Sequence, residues 1–174
     1  NGAGTGVVIG LGANATDRRR ALMAFDLSSL PASARVLAAS LKLTQEFTSD
    51  TQSRDLRIHR LNSLWGEGAS IAPGDATWVH RYFNTDTWLA PGGDFDPSPS
   101  ASTSVGTQPA AATWTGSQLA ADVQSWIDVP SSNRGWLLAG DELAPQSQRR
   151  FASREAGDAG SRPTLTVTYT LVPA

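Results

Sequence analysis

The sequence predicts an all-β fold, a jelly-roll-type β-sandwich with one short amphipathic helix and long loops. Short runs of the chain alternate apolar and polar residues, which is typical of strands with one face in a core and the other in water. Only 17% of the residues are charged, and 16 glycines and 10 prolines supply the turns that many short strands need. The length of 174 residues suits one domain with a proper core, so residues 1–174 are predicted to form a single domain.

The clearest strand covers residues 164–171, where four threonines alternate with Leu165, Val167, Tyr169 and Leu171. This period of two predicts one buried face and one solvated face. Four further strands are predicted at residues 21–27, 40–44, 55–59 and 136–140, the first of them deeply buried.

One helix is predicted over residues 117–127, with Ser117 as its N-terminal cap. Four residues recur at helical spacing and form a single apolar stripe: Leu119, Val123, Trp126 and Ile127. Two stretches, 65–78 and 84–109, are predicted to be irregular. The second contains proline- and glycine-rich segments, which do not form regular structure. Long loops on a rigid sandwich are where binding sites tend to lie.

Composition excludes several classes of partner and site. The chain has no cysteine, so neither disulfides nor thiolate metal sites stabilise it. Its net charge of −2 argues against nucleic acid as a partner, and no apolar run approaches the ~20 residues of a membrane span. One sequon makes Asn14 a candidate glycosylation site, although an ordinary turn is the simpler interpretation.

No set of residues indicates catalysis, and the chain is predicted not to be an enzyme. His59 and His80 are the only histidines. The first alternates with charged residues on a predicted strand, which favours a solvated position, and the second has no partners of a catalytic triad near it in the sequence.

No cofactor is predicted, and calcium is the one metal that the residues suggest. Asp94 and Asp96 lie in a Gly/Pro-rich loop, with Glu67 and Asp75 in the loop before it. Carboxylate oxygens are the ligands that calcium prefers. The spacing does not match an EF-hand, so turn-forming aspartates are the favoured interpretation.

Six tryptophans raise the alternative of carbohydrate binding. Trp65, Trp78 and Trp88 lie in or beside the long loops, where aromatic faces could stack on sugar rings and arginines could hold the carboxylates of an acidic polysaccharide. Pinning these loops onto the sandwich is an equally good role for them. Trp126 and Trp136 are predicted to be core residues, while Trp114 stays open between the two roles. The arginine runs 18–20 and 149–150 are predicted to be solvated turns.

A series of short motifs resembles the DNRLRE domain family, which overlaps a carbohydrate-binding-module family associated with alginate. The motifs span roughly the whole chain in the expected order: Arg20-Ala21-Leu22-Met23-Ala24-Phe25-Asp26-Leu27-Ser28, Trp65-Gly66-Glu67-Gly68, Asp75-Ala76-Thr77-Trp78, Gly92-Gly93-Asp94-Phe95, Asp122-Val123-Gln124-Ser125-Trp126, Asn133-Arg134-Gly135-Trp136, Phe151-Ala152-Ser153-Arg154-Glu155 and Arg162-Pro163-Thr164-Leu165. The resemblance implies a jelly-roll module of a secreted bacterial or archaeal protein, located outside the cell or at its surface.

The resemblance also implies a further strand upstream of residues 1–10, which this sequence does not include. Either that segment belongs to a longer chain, or the domain lacks one of its own strands. A sandwich that is one strand short exposes an open edge and a cleft, which a strand from a neighbouring molecule can fill. Residues 1–11 are a candidate exchanged or edge strand, in which the proposed assembly strand is Gly6, Val7, Val8, Ile9, Gly10 and Leu11.

Two functions follow from these observations. The first is a structural subunit that assembles with other copies of itself, by strand complementation, into a filament. The alternative is a carbohydrate-binding module for an acidic polysaccharide such as alginate.

Overall fold

The computed structural model describes residues 2–69 and 73–171 and shows an all-β, sandwich-like fold, as predicted. Within those ranges it has one α-helix, α1 (Ser117–Asp128). The strands, in chain order, are β1 (Gly6–Leu11), β2 (Arg18–Met23), β3 (Ala34–Thr48), β4 (Arg54–Arg60), β5 (His80–Tyr82), β6 (Asp86–Thr87), β7 (Ala101–Val105), β8 (Ala110–Thr115), β9 (Trp136–Ala139), β10 (Arg149–Ala152) and β11 (Thr164–Leu171).

Nine of these strands form one curled antiparallel sheet in the order β11-β3-β10-β1-β2-β9-β4-β7, with β8 paired to β3, and β5 and β6 form a separate ribbon. β1 joins the two layers of the sandwich. Its residues 6–9 pair with β10, and its last two residues pair with β2. The change of partner occurs at Gly10, whose φ of +99° is in the region that favours glycine, and a Cβ there would lie 2.9 Å from the carbonyl oxygen of Ser147.

The 15-residue strand β3 is the longest element, and three strands pair with it. β8 occupies one edge, along residues 40–45. β10 and β11 follow one another along the opposite edge, at residues 45–48 and 34–42. Residues 153–163 form an excursion between these two strands.

The core between the layers is centred on three fully buried tryptophans, Trp114, Trp126 and Trp136. The last two confirm the prediction that they are packing residues, and their ring centroids are 4.5 Å apart. Trp114, which the sequence left open, donates its indole N–H to the carbonyl oxygen of Leu56 at 2.9 Å. α1 packs against β3 and supplies the buried carboxylate of Asp122, which accepts hydrogen bonds from Trp136 Nε1 at 2.8 Å and Ser100 Oγ at 2.5 Å.

Three predictions about these elements were wrong in detail. The stretch 84–109 is not irregular throughout, because β7 pairs with β4 and buries Ala101 and Val105. The other three residues of β7 are serine and threonine, so the sequence shows no hydrophobic alternation there. The strand predicted at 21–27 is β2, which begins at Arg18 and ends at Met23. Gly116, rather than Ser117, occupies the cap position of α1 and makes no side-chain cap.

Arg149 was predicted to lie in a solvated turn, but it is the first residue of β10 and its side chain is 0% exposed. Its Nη2 donates to the carbonyl oxygen of Gln52 at 2.6 Å and to Asp50 Oδ2 at 3.3 Å. Asp50 also accepts from Arg54 Nε at 2.8 Å, and Arg54 in turn contacts Asp141 at 3.0 Å. A carboxylate and a carbonyl group therefore compensate only part of the cost of burying the Arg149 cation, because its Nε and Nη1 are buried without a hydrogen-bond partner among the described residues.

β11 confirms the predicted strand and its alternation, but its apolar face is only partly buried. Leu165 and Val167 pack against the core, whereas Tyr169 is 38% and Leu171 58% exposed. The reason is its position: β11 is the last strand of the sheet and pairs only with β3.

Candidate functional site

The candidate site is a gap between β1 and β2. These two strands pair through only two positions, Gly10 with Arg19 and Leu11 with Arg18. Beyond them β1 follows β10 into one layer, while β2 follows β9 into the other. Across residues 6–9 and 20–23, the edges that face each other therefore have no strand between them in the described part of the chain.

A cleft of about 810 Å³ fills this gap, a volume within the usual range for ligand pockets. Val7 and Val8 line it from β1, and Leu22 and Met23 line it from β2. All four side chains are only partly buried, although Ile9 and Leu11, the next inward-pointing residues of β1, are 0% and 2% exposed. The cleft thus leaves apolar surface uncovered between two unpaired backbone edges.

The outer wall of the cleft is a loop that Arg20 holds against the sheet. The guanidinium group makes a bidentate ion pair with Glu142, at 2.6 and 2.8 Å, and donates to the carbonyl oxygen of Gly92 at 2.9 Å. It lies 4.9 Å from the ring centroid of Trp78, a cation–π distance. Gly92 has a φ of +99°, in the region that favours glycine, and a Cβ there would lie 2.6 Å from Arg20 Nη1. Arg20 is therefore a structural residue and not part of a solvated turn.

The structure brings Trp65, Trp78 and Trp88 together around this one cleft. Trp88 is 5% exposed and donates its indole N–H to the carbonyl oxygen of Thr77 at 2.9 Å, which makes it a packing residue. Trp65 is partly buried and donates to the carbonyl oxygen of Arg134 at 2.9 Å. Trp78, at 36% exposure, is the most accessible of the three. Arg18 and Arg19 also line the cleft, and both are exposed.

The candidate calcium ligands do not converge. Over the described residues, no group of three or more His, Asp or Glu side chains is placed to hold a metal ion. Asp94 accepts from the backbone N–H of Leu89 at 2.8 Å and from Ser63 Oγ at 2.9 Å, while Asp96 accepts from the N–H of Ser98. Glu67 forms an ion pair with Arg154, and Asp75 is buried. Asp94 and Asp96 thus accept hydrogen bonds from backbone N–H groups within a few residues of themselves in the sequence.

The prediction of a solvated His59 was wrong, because the loop that follows β4 covers it. The imidazole is 7% exposed, its Nδ1 lies 2.9 Å from the carbonyl oxygen of Asp96, and Phe95 packs edge-on against it at 5.0 Å. Burial lowers the pKa of His59 below its ordinary value. His80 Nδ1 lies 3.2 Å from Thr77 Oγ1.

The remaining candidate residues lie at the closed end of the gap. Asn14 is exposed in the turn that connects β1 with β2. In that turn the Gly12 N–H donates to Asp17 at 2.9 Å and the Asp17 N–H donates to Asn14 at 3.0 Å. The proposed assembly strand Gly6–Leu11 is β1 of its own subunit. The sequence did not show that the second edge of β1 is unpaired along residues 6–9, because residue types do not indicate which backbone edge of a strand is hydrogen-bonded.

No protein-family model matches the chain, and no curated protein matches it. The resemblance to the DNRLRE domain stays a prediction. In the part of the chain that the structure describes, no helix is both long enough and apolar enough to cross a membrane.

Proposed function

We propose that this chain is a non-catalytic structural module of the extracellular space that assembles with copies of itself by exchanging β1. The observation that supports this most is the unpaired second edge of β1, which faces the cleft instead of a neighbouring strand. A strand attached along one edge is easier to release than one held along both.

Two further features suit exchange. β1 carries no charged side chain, so it can pass through an apolar interface without desolvating an ion. It connects to the rest of the subunit through the short turn of residues 12–17, and short hinges favour swapping over folding back. The donated strand would make the contacts with β10 and β2 in its neighbour that it makes in its own subunit. A head-to-tail series of such exchanges does not close, so the product is a filament.

A disulfide between β1 and β10 tests the exchange, because the chain has no cysteine of its own. Val8 and Arg150 lie opposite each other, so we expect Val8→Cys/Arg150→Cys to form a bond. Oxidised after concentration, it should give covalent oligomers on a non-reducing gel. Oxidised while dilute, it should give a covalent monomer that forms no filament until it is reduced.

The control is Arg57→Cys/Ser102→Cys, which joins β4 to β7 and does not involve β1. It should give only monomeric disulfides under both conditions. Covalent monomers alone from Val8→Cys/Arg150→Cys, oxidised at the highest concentration reached, would overturn the exchange.

Shortening the turn gives a second test. Deleting residues 12–17 joins Leu11 directly to Arg18, its partner in β2, so β1 cannot fold back beside β2 and the variant should become fully oligomeric by light scattering. Replacing the same six residues with glycine should leave assembly at the level of the parent protein. A monomeric deletion variant with native circular dichroism contradicts the proposal.

A second candidate function, binding of an acidic polysaccharide, draws on the three tryptophans that line the cleft with Arg18 and Arg19. Trp78 is the side chain most accessible to a sugar ring. Affinity electrophoresis in alginate should then show retardation that Trp78→Ala removes. Leu89→Ala, at a 94% exposed position after β6, should leave the retardation intact. Equal mobility with and without alginate argues against this function.

A further inference from the structure

The outer edge of β11 is a second open edge, separate from the cleft. β11 contains eight residues and pairs with β3 along its full length, from Thr164 opposite Lys42 to Leu171 opposite Ala34. Its other edge ends the sheet in the part of the chain that the structure describes. The edge strand at the opposite end of that order, β7, has five residues.

β11 also lacks most of the devices by which edge strands usually avoid pairing with another molecule; the one irregularity in its ladder, at Thr168 and Tyr169, places the extra residue, Leu37, on β3. Such strands carry lysine, proline or inward-pointing charges, or are interrupted by a bulge. The sequence from Thr164 to Leu171 has no charge, no proline and no glycine, and consists of β-branched, leucine and tyrosine residues. At the C-terminal end of β11, the apolar side chains of Tyr169 and Leu171 are partly exposed to solvent.

The alternation of β11 makes it complementary to a second copy of itself. Directly opposed residues of an antiparallel pair lie on the same face. Two copies of β11 therefore match threonine with threonine, and apolar with apolar residue, only when the two-fold axis passes through a residue. An axis at Thr168 places Leu165 opposite Leu171 and Val167 opposite Tyr169. This register, unlike one centred on Val167, gives the 58% exposed Leu171 an apolar partner.

We infer that β11 is an interface between two copies of this chain, which pair antiparallel about Thr168 and join their sheets into one. The contact is isologous, so it closes at two subunits. It is independent of β1 exchange, because it uses the outer edge of β11, whereas β1 pairs with β10, and because it requires no strand to leave its subunit. Where both contacts operate, β11 would join subunits of two filaments.

Single cysteines on the exposed threonine face test both the interface and its register. Thr168→Cys meets its own copy at the axis and should form a disulfide-linked dimer in air. Thr166→Cys and Thr170→Cys should not crosslink alone, because each lies about four residues, or ~13 Å, from its own copy. Mixed together, those two variants should crosslink with each other, since Thr166 lies opposite Thr170.

A charge at the axis gives an independent measurement. Thr168→Lys places two ammonium groups opposite each other and should reduce the dimer to the monomer mass in light scattering. The matched variant Thr113→Lys, at an exposed position of β8, should remain dimeric. Equal masses for Thr168→Lys and Thr113→Lys, or a crosslink of Thr166→Cys with itself, overturn the inference. Neither result would change the covalent oligomers expected from Val8→Cys/Arg150→Cys, so the two proposals fail separately.

Discussion

The two sides of the sandwich differ in how completely their apolar side chains are buried and their strand edges are paired. On the side of α1 and β9, apolar residues are fully buried and Asp122 accepts hydrogen bonds from Ser100, Gln118 and Trp136. On the side of β1, β2 and β11, two strand edges face a cleft, a third ends the sheet, and the adjoining apolar side chains are partly exposed. The difference teaches that stability is concentrated in one part of the molecule, while the surfaces suited to a partner lie in the other.

The largest expected effect is the loss of a tryptophan from the closed side. Trp136→Ala should lower the free energy of unfolding by about 4 kcal/mol, because it leaves a cavity and removes a donor to the buried Asp122. Trp78→Ala, at a 36% exposed position of the open side, should cost less than about 1 kcal/mol. Urea denaturation measures both, and similar losses would remove the contrast between the two sides.

A somewhat smaller loss is expected at the buried ion pair. Asp50→Asn removes the charge that faces Arg149, whose side chain is 0% exposed, and should cost about 3 kcal/mol in denaturant unfolding. Asp128→Asn removes the carboxylate of a pair with Arg35 in which both side chains are about half exposed, and should change stability by less than about 0.5 kcal/mol. If the two variants unfold at the same urea concentration, Arg149 does not depend on Asp50.

The same substitution in two adjacent strands sharpens the comparison further. Leu41 and Leu165 are opposite one another, but the first is 0% exposed and the second only partly buried. Leu41→Ala should cost about 3 kcal/mol and Leu165→Ala about 1 kcal/mol in monomeric protein. An equal cost would mean that the face of β11 is already covered in solution, which sedimentation analysis of the parent protein can check.

The smallest effect concerns acid. Burial by itself would raise the pKa of Asp50, but hydrogen bonds from Arg54 and from the Gln52 N–H outweigh it, and the net pKa lies below the ordinary value. The N–H groups of Leu143 and Ala144 lower the pKa of Asp141. Both carboxylates therefore add stability that is present above about pH 3.9, the unfolded value, and is lost as the pH falls through the lower folded values. Between pH 4 and 2, Asp50→Asn should lose less stability than the parent protein does.

The sequence predicted the parts of the fold that carry a strong period. The stripe of α1 and the alternation of β11 gave both elements, and Trp126 and Trp136 were predicted correctly as core residues. β7 was missed because its small polar residues carry little hydrophobic contrast. His59 and Arg149 were predicted to be solvated because polarity is only a local signal, and the elements that bury them come from distant parts of the chain.

Residues of the candidate site could be singled out from the sequence, but their arrangement around one cleft could not be predicted. The tryptophans of the long loops were singled out from the residue types, yet nothing in the sequence showed that all three surround one cleft. The cleft itself is a property of pairing: β1 and β2 separate after two residue pairs, and a strand's residues do not state which of its edges is occupied.

The long strand β3 also determines when the molecule can fold. Its partners β8, β10 and β11 all come from the second half of the sequence, so none of its ladder can form until β8 has been made, and the rest waits for β10 and β11. Non-local pairing of this kind makes folding slow. Until then 15 residues of β3 remain without neighbours and vulnerable to aggregation. The interval between the synthesis of β3 and that of its partners is therefore the period in which a nascent chain is most vulnerable to aggregation.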